Sequence, residues 1–218
     1  MKLCFLGTSH AAVTLAEAAR RKGFVLTESI GDADEVFISE DTPTDESGKR
    51  DLTPILELVD LVMRKHRGGA VITSQVPPGF TRSLNDASFY CQAETLRIED
   101  AMQRALYPEM LIVGTWTGNH AIRFGYARYL ESFDAPILYM KYEDAEFAKM
   151  AINYFLTSQV HASTFLSKLA TKCGADWLNV ARVLRHDSRI GKYAYLSPGD
   201  PLASRHLLRD YVTLNAIK

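Results

Sequence analysis

The sequence has few cysteines, no long apolar run and no excess of either charge. Its 218 residues include three cysteines, Cys4, Cys91 and Cys173, which are widely spaced and form no CxxC pair. This spacing excludes a disulfide scaffold and a zinc ribbon, and it favours reduced thiols in a cytoplasmic protein. We therefore expect no metal site.

Neither a membrane span nor a surface for polyanions is indicated. No apolar run approaches the roughly 18 residues that a transmembrane helix needs. The apolar stretch that starts at Met1 is interrupted at Thr8, which is too early for a signal peptide. With 25 basic and 26 acidic side chains, the net charge of −1 argues against nucleic-acid or membrane partners.

Short β-rich runs alternate with helical patterns over residues 1–142. Strands are predicted at 2–6, 35–39, 70–74, 89–91, 111–114 and 136–140, and helices at 11–22, 52–66 and 119–130. Such alternation predicts a parallel α/β sheet with right-handed crossovers. The first domain is therefore expected to be Rossmann-like.

The pattern changes after Lys141 from alternation to unbroken helix. Apolar residues recur at helical spacing from Asp144 to about Lys172, and Gly174 then ends the helix. Further helices are predicted at 177–185 and from 204 onward. We expect an all-helical segment, led by one long helix, over residues 143–218.

The first strand is followed by the segment 7–12, GTSHAA, and then by a helix, which is the context of a dinucleotide-binding turn. Glycines in such a turn let backbone N–H groups approach a pyrophosphate closely. Only Gly7 is present, because Ser9 and Ala12 stand at the second and third glycine positions. A plain strand–turn–helix connection is the alternative, and the motif alone favours it.

An acidic residue for the adenosine ribose is expected about 20 residues after the turn. Glu28 stands near that spacing, but only residues 29–34 separate it from the next strand. Parallel neighbours need a crossover of roughly a dozen residues. A second complete β–α unit does not fit there, so we expect the adenosine side of the domain to be abbreviated.

Motifs of one enzyme family occur in order over nearly the whole chain. They are TPTD at 42–45, SQVPPG at 74–79, ETLR at 94–97, AEFAKMAINYFL at 145–156, GAD at 174–176 and DSRIG at 187–191. Together they resemble the UDP-glucose/GDP-mannose dehydrogenase family. Members of that family oxidise the C6 alcohol of a nucleotide sugar to the acid with two NAD, through a cysteine-bound thioester.

The resemblance implies roles for several residues. Glu94 would assist thioester hydrolysis, Lys149 and Asn153 would stabilise the oxyanion, and Asp210 would help to activate water. The cofactor site would include Gly7, Ser9, Ala12, Glu28, Thr42 and Pro43.

Independently of the family, three polar residues share one face of the long helix. Glu146, Lys149 and Asn153 are spaced i, i+3 and i+7. A lysine and an amide directed at one point suit an oxyanion site. A solvated helix face with a Glu–Lys pair is the alternative.

The segment that should hold the nucleophile departs from the family pattern. Counting back from Asp210 places His206 at the cysteine position, and no cysteine follows Cys173. A neutral imidazole can move a proton, but it cannot form the thioester. A surface histidine without a role is the alternative for His206. The C-terminal UDP-binding domain of the family is expected to be absent as well.

These departures lead to three hypotheses about function. The first is a divergent homologue that has lost the four-electron oxidation, a pseudoenzyme that acts as a binding or interaction protein. The second is an enzyme of reduced chemistry on a sugar or small polar substrate, with or without NAD, that uses Glu94, Lys149, Asn153 and Asp210. The third is a purely structural dimer module.

Cofactor and partner expectations follow from the same departures. NAD is the family cofactor, and we expect its binding here to be weak or lost. A homodimer through the helical segment is expected, because that segment matches the family best and is rich in large apolar side chains. A sugar or small polar ligand is the expected small-molecule partner, and the resemblance links it to polysaccharide biosynthesis.

Overall fold

The structure of the chain is a computed structural model that describes residues 1–202 and 205–217. The strands of this described part are β1 Lys2–Leu6, β2 Val25–Leu26, β3 Glu35–Ile38, β4 Val71–Ile72, β5 Tyr90–Ala93, β6 Leu111–Thr115 and β7 Ile137–Lys141. The helices are α1 His10–Arg21, α2 Thr53–Lys65, α3 Phe80–Ser83, α4 Ala101–Leu106, α5 Phe124–Glu131, α6 Tyr142–Lys172, α7 Trp177–His186 and α8 Arg205–Asn215.

The seven strands form one sheet in the order β2-β1-β3-β4-β5-β6-β7. Neighbouring strands are parallel from β2 to β5, and β6 is parallel to β7. The junction of β5 with β6 is antiparallel, with Cys91 opposite Gly114. The predicted Rossmann-like α/β class is confirmed. The sheet is mixed because β6 starts at the end of the sheet where β5 stops and therefore runs in the opposite direction.

The edge beside β1 is abbreviated, as the spacing around Glu28 predicts. β2 has two residues, and residues 27–34 lead from it to β3 on the far side of β1. Within these residues, all of which are described, the chain forms a 3₁₀ turn at Ile30–Asp32 and no α-helix. With this turn in place of a helix, the connection is shorter than the dozen or so residues of an ordinary crossover.

Helices cover both faces of the sheet. Alternate residues of β3 point to opposite faces, so Val36 and Ile38 pack with α2 whereas Phe37 packs with α5. The Phe37 ring lies 4.6 Å from that of Tyr129. This alternation explains why β3 is buried along its whole length.

A buried ion pair ties the start of β3 to the start of α5. Arg123 donates from Nε and Nη2 to the two carboxylate oxygens of Glu35, at 2.9 and 2.7 Å. The guanidinium also lies 4.5 Å from the centre of the Tyr90 ring and donates to the carbonyl of Ser88. A buried carboxylate needs such a partner because desolvation otherwise disfavours its charge.

The long helix predicted after Lys141 is confirmed as α6, which has 31 residues. The chain divides into two compact units, residues 1–43 with 50–149 and residues 44–49 with 150 onward, so that α6 contributes to both. The domain boundary predicted at residue 142 coincides with the start of α6 and stays a prediction. Neither α6 nor any other described helix is long and apolar enough to cross a bilayer.

The second unit contains α7 and α8, both predicted from the sequence. Asp176 begins α7 by accepting a hydrogen bond from the Leu178 N–H, and the indole of Trp177 donates to the carbonyl of Leu196. Ala181 and Ala194 complete a small apolar cluster there. The helix after residue 204 is observed as α8.

Candidate functional site

A cleft that is open to solvent lies where β4 and β5 end. Ligand sites of open α/β sheets form at the carboxyl ends of the strands. The cleft is lined by Thr73, Ser74, Gln75, Val76, Cys91, Ala93, Glu94, Glu146 and Lys149. Two of the residues predicted to be catalytic, Glu94 and Lys149, are therefore in it.

Glu94 and Lys149 face each other across this cleft. The Lys149 Nζ lies 4.0 Å from the Glu94 Oε1, and 13% and 19% of the two side chains are exposed. The other carboxylate oxygen of Glu94 accepts a hydrogen bond from the Leu96 N–H at 2.6 Å. A half-buried carboxylate beside an ammonium can exchange a proton with a ligand or bind its oxygen atoms.

Asn153 and Asp210 form a second pair, in the second unit. The Asn153 amide donates to the Asp210 Oδ2 at 2.5 Å, and Asp210 is fully buried. This pair joins α6 to α8 and supplies the buried carboxylate with a donor. The four predicted catalytic residues thus occur as two pairs, one in each unit, and their union in one site stays a prediction.

The residue that the resemblance assigns to the nucleophile position, His206, lies on α8. The backbone of His206 stands four residues before Asp210 in that helix, and its side chain lies outside the described part of the structure. Cys91 lines the cleft, but desolvation raises the pKa of its buried thiol well above the ordinary value. A thiol that stays protonated is a poor nucleophile, so Cys91 is no substitute for the family cysteine.

Glu146 has a positioning role that helical spacing alone did not show. Its carboxylate accepts hydrogen bonds from the Gly79 N–H at 2.6 Å and the Thr81 N–H at 2.9 Å. Desolvation raises the pKa of this carboxyl, although the hydrogen bonds from Thr81 and Gly79 oppose the rise. Glu146 therefore fixes the PPG turn beside the cleft rather than facing a ligand freely.

Gly114 allows α6 to reach the cleft. A Cβ at Gly114 would lie 3.0 Å from the Ala145 Cβ and 3.1 Å from the Tyr142 Cα. Because β6 and β7 run opposite to β5, α6 starts at the other edge of the sheet and passes Gly114 before it reaches β4 and β5. The helix then presents Lys149 at the carboxyl ends of those strands.

The turn after β1 is packed tightly against the end of β3. Gly7 has φ +115°, and a Cβ there would lie 2.3 Å from the Ser39 carbonyl oxygen. The Ser9 hydroxyl donates to the same carbonyl at 2.6 Å and accepts from the Ala12 N–H at 3.0 Å. Ser9 is thus the N-cap of α1, with its hydroxyl directed into the protein.

The remaining residues of the predicted cofactor site are spread over two loops. Thr42 is buried and Pro43 is exposed after β3, whereas Glu28 is exposed after β2. The Thr42 hydroxyl contacts the Gln75 carbonyl at 3.5 Å. The structure places Gly7, Ser9 and Ala12 at the first turn, after β1, which is the parallel neighbour of both β2 and β3. The assembly of these six residues into one cofactor site stays a prediction.

Sequence reasoning missed Glu40, which contacts the turn directly. Its Oε2 accepts from the Thr8 N–H at 2.8 Å and lies 3.3 Å from the Thr8 hydroxyl. A backbone N–H of this turn is the kind of donor that a cofactor pyrophosphate would need. As it stands, the turn does not fit the pyrophosphate of NAD.

The fold and these pairs can be compared with known proteins. Residues 143–217 match the central domain of the UDP-glucose/GDP-mannose dehydrogenase family. The chain is also 29% identical, over 197 residues, to UDP-glucose 6-dehydrogenase of Rickettsia typhi, a match that covers 84% of this chain and 44% of that protein. The chain is therefore similar to the UDP-glucose/GDP-mannose dehydrogenase family, most directly over residues 143–217.

Further comparisons show the same similarity. UDP-glucose 6-dehydrogenase of Pseudomonas aeruginosa is 26% identical over 186 residues, which cover 77% of this chain and 41% of that protein. The fold resembles the UDP-glucose dehydrogenase of the archaeon Pyrobaculum islandicum, with a TM-score of 0.85 and 21% identity over 98% of this chain and 62% of that one. The chain spans somewhat less than half the length of these curated relatives.

Proposed function

We propose that this chain is a divergent member of the UDP-glucose/GDP-mannose dehydrogenase family. In this proposal it binds a sugar or similar polar ligand at the cleft of Glu94 and Lys149, and it does not catalyse the four-electron oxidation of a nucleotide sugar. The observation that carries the proposal is a contrast. The Glu94–Lys149 pair is formed, with 4.0 Å between its charged atoms. The residue that the resemblance assigns to the position of the family nucleophile is His206, which is not a cysteine.

The chemistry of the cleft suits a ligand with several hydroxyl groups. A hydroxyl can donate a hydrogen bond to the Glu94 carboxylate while it accepts one from the Lys149 ammonium. Thr73, Ser74 and Gln75 add polar groups to the same lining. A few convergent polar groups in a concave site are what fix the orientation of a small ligand.

Loss of the oxidation follows from the chemistry of the second step. The oxidation of an aldehyde to an acid through a thioester needs a sulfur nucleophile, which an imidazole does not replace. Cys91 does not supply one, because burial keeps its thiol protonated.

The test pairs an activity assay with a binding assay. NADH absorbance with UDP-glucose or GDP-mannose should stay at the level of a control without enzyme. Saturation-transfer NMR with the same sugars should detect binding that Lys149→Met and Glu94→Gln remove and that Lys168→Met, on an exposed part of α6, preserves. Steady NADH production, or binding that is insensitive to Lys149 and Glu94, would contradict the proposal.

A second candidate is an enzyme of reduced chemistry on a sugar or small polar substrate. The buried Asn153–Asp210 pair favours it, because a buried carboxylate with a dedicated donor is costly to maintain. Mass spectrometry of sugar nucleotides incubated with wild type and with Asp210→Asn distinguishes the two. A product formed only by the wild type supports the enzyme.

We also propose a homodimer that uses the helical segment. Large apolar side chains of the second unit are exposed there, among them Phe155, Phe165, Leu178, Val183 and Tyr193. Exposed apolar side chains in such number are typical of an interface, and two-fold pairs are the commonest oligomers. The free thiols support a cytoplasmic location.

A further inference from the structure

We propose that Glu40 is a built-in anion that excludes diphosphate groups from the turn after β1. The proposal concerns the β1–α1 turn and does not depend on the function proposed for the Glu94 cleft. It identifies the residue that decides whether a dinucleotide can bind to this chain.

Both oxygens of the Glu40 carboxylate are held by backbone N–H groups. Oε2 accepts from the Thr8 N–H, and Oε1 accepts from the Asp41 N–H, each at 2.8 Å. Two N–H donors converging on one carboxylate form the kind of cradle that binds a phosphate oxygen. Here the cradle already contains a side chain of the protein itself.

The backbone of Glu40 is fixed as well, so the Cα from which the side chain reaches Thr8 has a defined position beside the turn. The Glu40 N–H donates to the Ser74 hydroxyl at 2.7 Å. The preceding carbonyl, that of Ser39, accepts the hydroxyl of Ser9 at 2.6 Å and lies against Gly7. The ends of β1, β3 and β4 therefore hold Glu40 over the turn.

A diphosphate would meet two obstacles at this position. The first is the loss of the Thr8 hydrogen bond to Glu40, a charge-assisted bond of the stronger kind. The second is the repulsion between the carboxylate and the phosphate charges at contact distance. The positive end of the α1 dipole, which ordinarily attracts a phosphate, is balanced by Glu40 instead.

The experiment removes the charge and keeps the shape. Isothermal titration with NAD and with ADP-ribose compares wild type, Glu40→Gln and Glu40→Ala at one ionic strength. We expect Glu40→Gln to bind at least tenfold more tightly than wild type, about 1.4 kcal/mol. Asp41→Asn is the matched control, since it removes one exposed acidic charge from the same loop and should change the affinity less than twofold.

A second measurement reports on the turn without any cofactor. The amide resonance of Thr8 should shift when inorganic pyrophosphate is added to Glu40→Gln or Glu40→Ala, and it should stay in place in wild type. Thermal melting of each variant verifies that it is folded, and Glu40→Ala replaces Glu40→Gln if the latter is not. Equal affinities for wild type and the folded variant, whether high or undetectable, would overturn the proposal, as would an equal gain in Asp41→Asn.

Discussion

Glu35 is a carboxylate at the start of β3 with 1% of its side chain exposed, and its charge depends on the Arg123 guanidinium. We expect Arg123→Met to lower the free energy of unfolding by about 3 kcal/mol, because it leaves Glu35 buried without a partner. Urea denaturation measures the loss. Arg64→Met is the control, since the Arg64–Asp60 pair is 64% and 67% exposed and should contribute less than about 0.5 kcal/mol. Similar losses in both variants would refute this view of Glu35.

A second prediction concerns Glu146 and the pH dependence of the free energy of unfolding. Because desolvation holds its folded-state pKa above the ordinary value, its contribution to stability is complete below the ordinary carboxyl pKa and is lost as the pH rises through the raised one. Wild type should therefore lose stability relative to Glu146→Gln as the pH rises from the ordinary carboxyl pKa through the raised one, measured by urea denaturation at each pH.

Glu143 provides a control of opposite sign for that experiment. The hydrogen bond from Arg82 lowers the pKa of the Glu143 carboxyl. The contribution of Glu143 to stability is present above the ordinary carboxyl pKa and is lost as the pH falls through the lowered one. The free energy of unfolding of wild type should therefore increase relative to that of Glu143→Gln as the pH rises. Parallel pH curves for the two variants would show that the environment of Glu146 differs from the one described.

At the scale of the elements, the turn between β1 and α1 has no room for a side chain at Gly7. Gly7 and Gly23 both have positive φ, but a Cβ at Gly7 would lie 2.3 Å from the Ser39 oxygen, whereas a Cβ at Gly23 meets nothing within 4 Å. Gly23→Ala should cost about 1 kcal/mol from backbone strain alone, and Gly7→Ala about 3 kcal/mol or more. Thermal denaturation of the two variants separates the cost of the contact with the Ser39 oxygen from the cost of backbone strain. Equal losses of stability in the two variants would show that this contact has no effect.

The local sequence pattern predicts most helices and strands, but it does not predict how the strands pair with one another. β1 spans the residues that its apolar run predicts, and α2, with Pro54 in its first turn, matches to within one residue at each end. The direction of β6 could not be predicted, because residues 94–110 are long enough for either a crossover or a return. Local pattern predicts helices and strands, whereas strand direction depends on the sheet as a whole.

In the candidate site, too, some features can be predicted from the sequence and others depend on the fold. The family motifs suggest Glu94 and Lys149 as site residues, and the structure brings their charged atoms to 4.0 Å from each other. Their catalytic roles stay a prediction. The contacts of Glu40 with Thr8, and of Glu146 with Gly79, join residues 32 and 67 positions apart. An acidic residue at a strand end or on a helix has many possible partners, and only the sheet order selects one.

For the whole molecule, the exposed apolar side chains of the helical segment predict its mass in solution. Light scattering coupled to size exclusion should give about twice the 24.4 kDa of one chain. Phe155→Asp should reduce the mass to that of a monomer, because Phe155 is 71% exposed in the second unit. Ile98→Asp is the control, since Ile98 is 77% exposed in the first unit and should leave the mass unchanged. A monomeric wild type would exclude the dimer.

Apart from β2, the strands stand across the sheet in the order in which they occur along the chain. During synthesis on the ribosome, each new strand can therefore join an edge that is already present, without waiting for a later part of the chain. The edge of β3 stays unpaired until residues 71–72 have left the exit tunnel, and an open edge is the part of a nascent sheet most prone to pair with other chains. Residues 39–70 form the longest connection between two successive strands of this sheet. The synthesis of these residues is accordingly the longest period in which the growing sheet waits for its next strand.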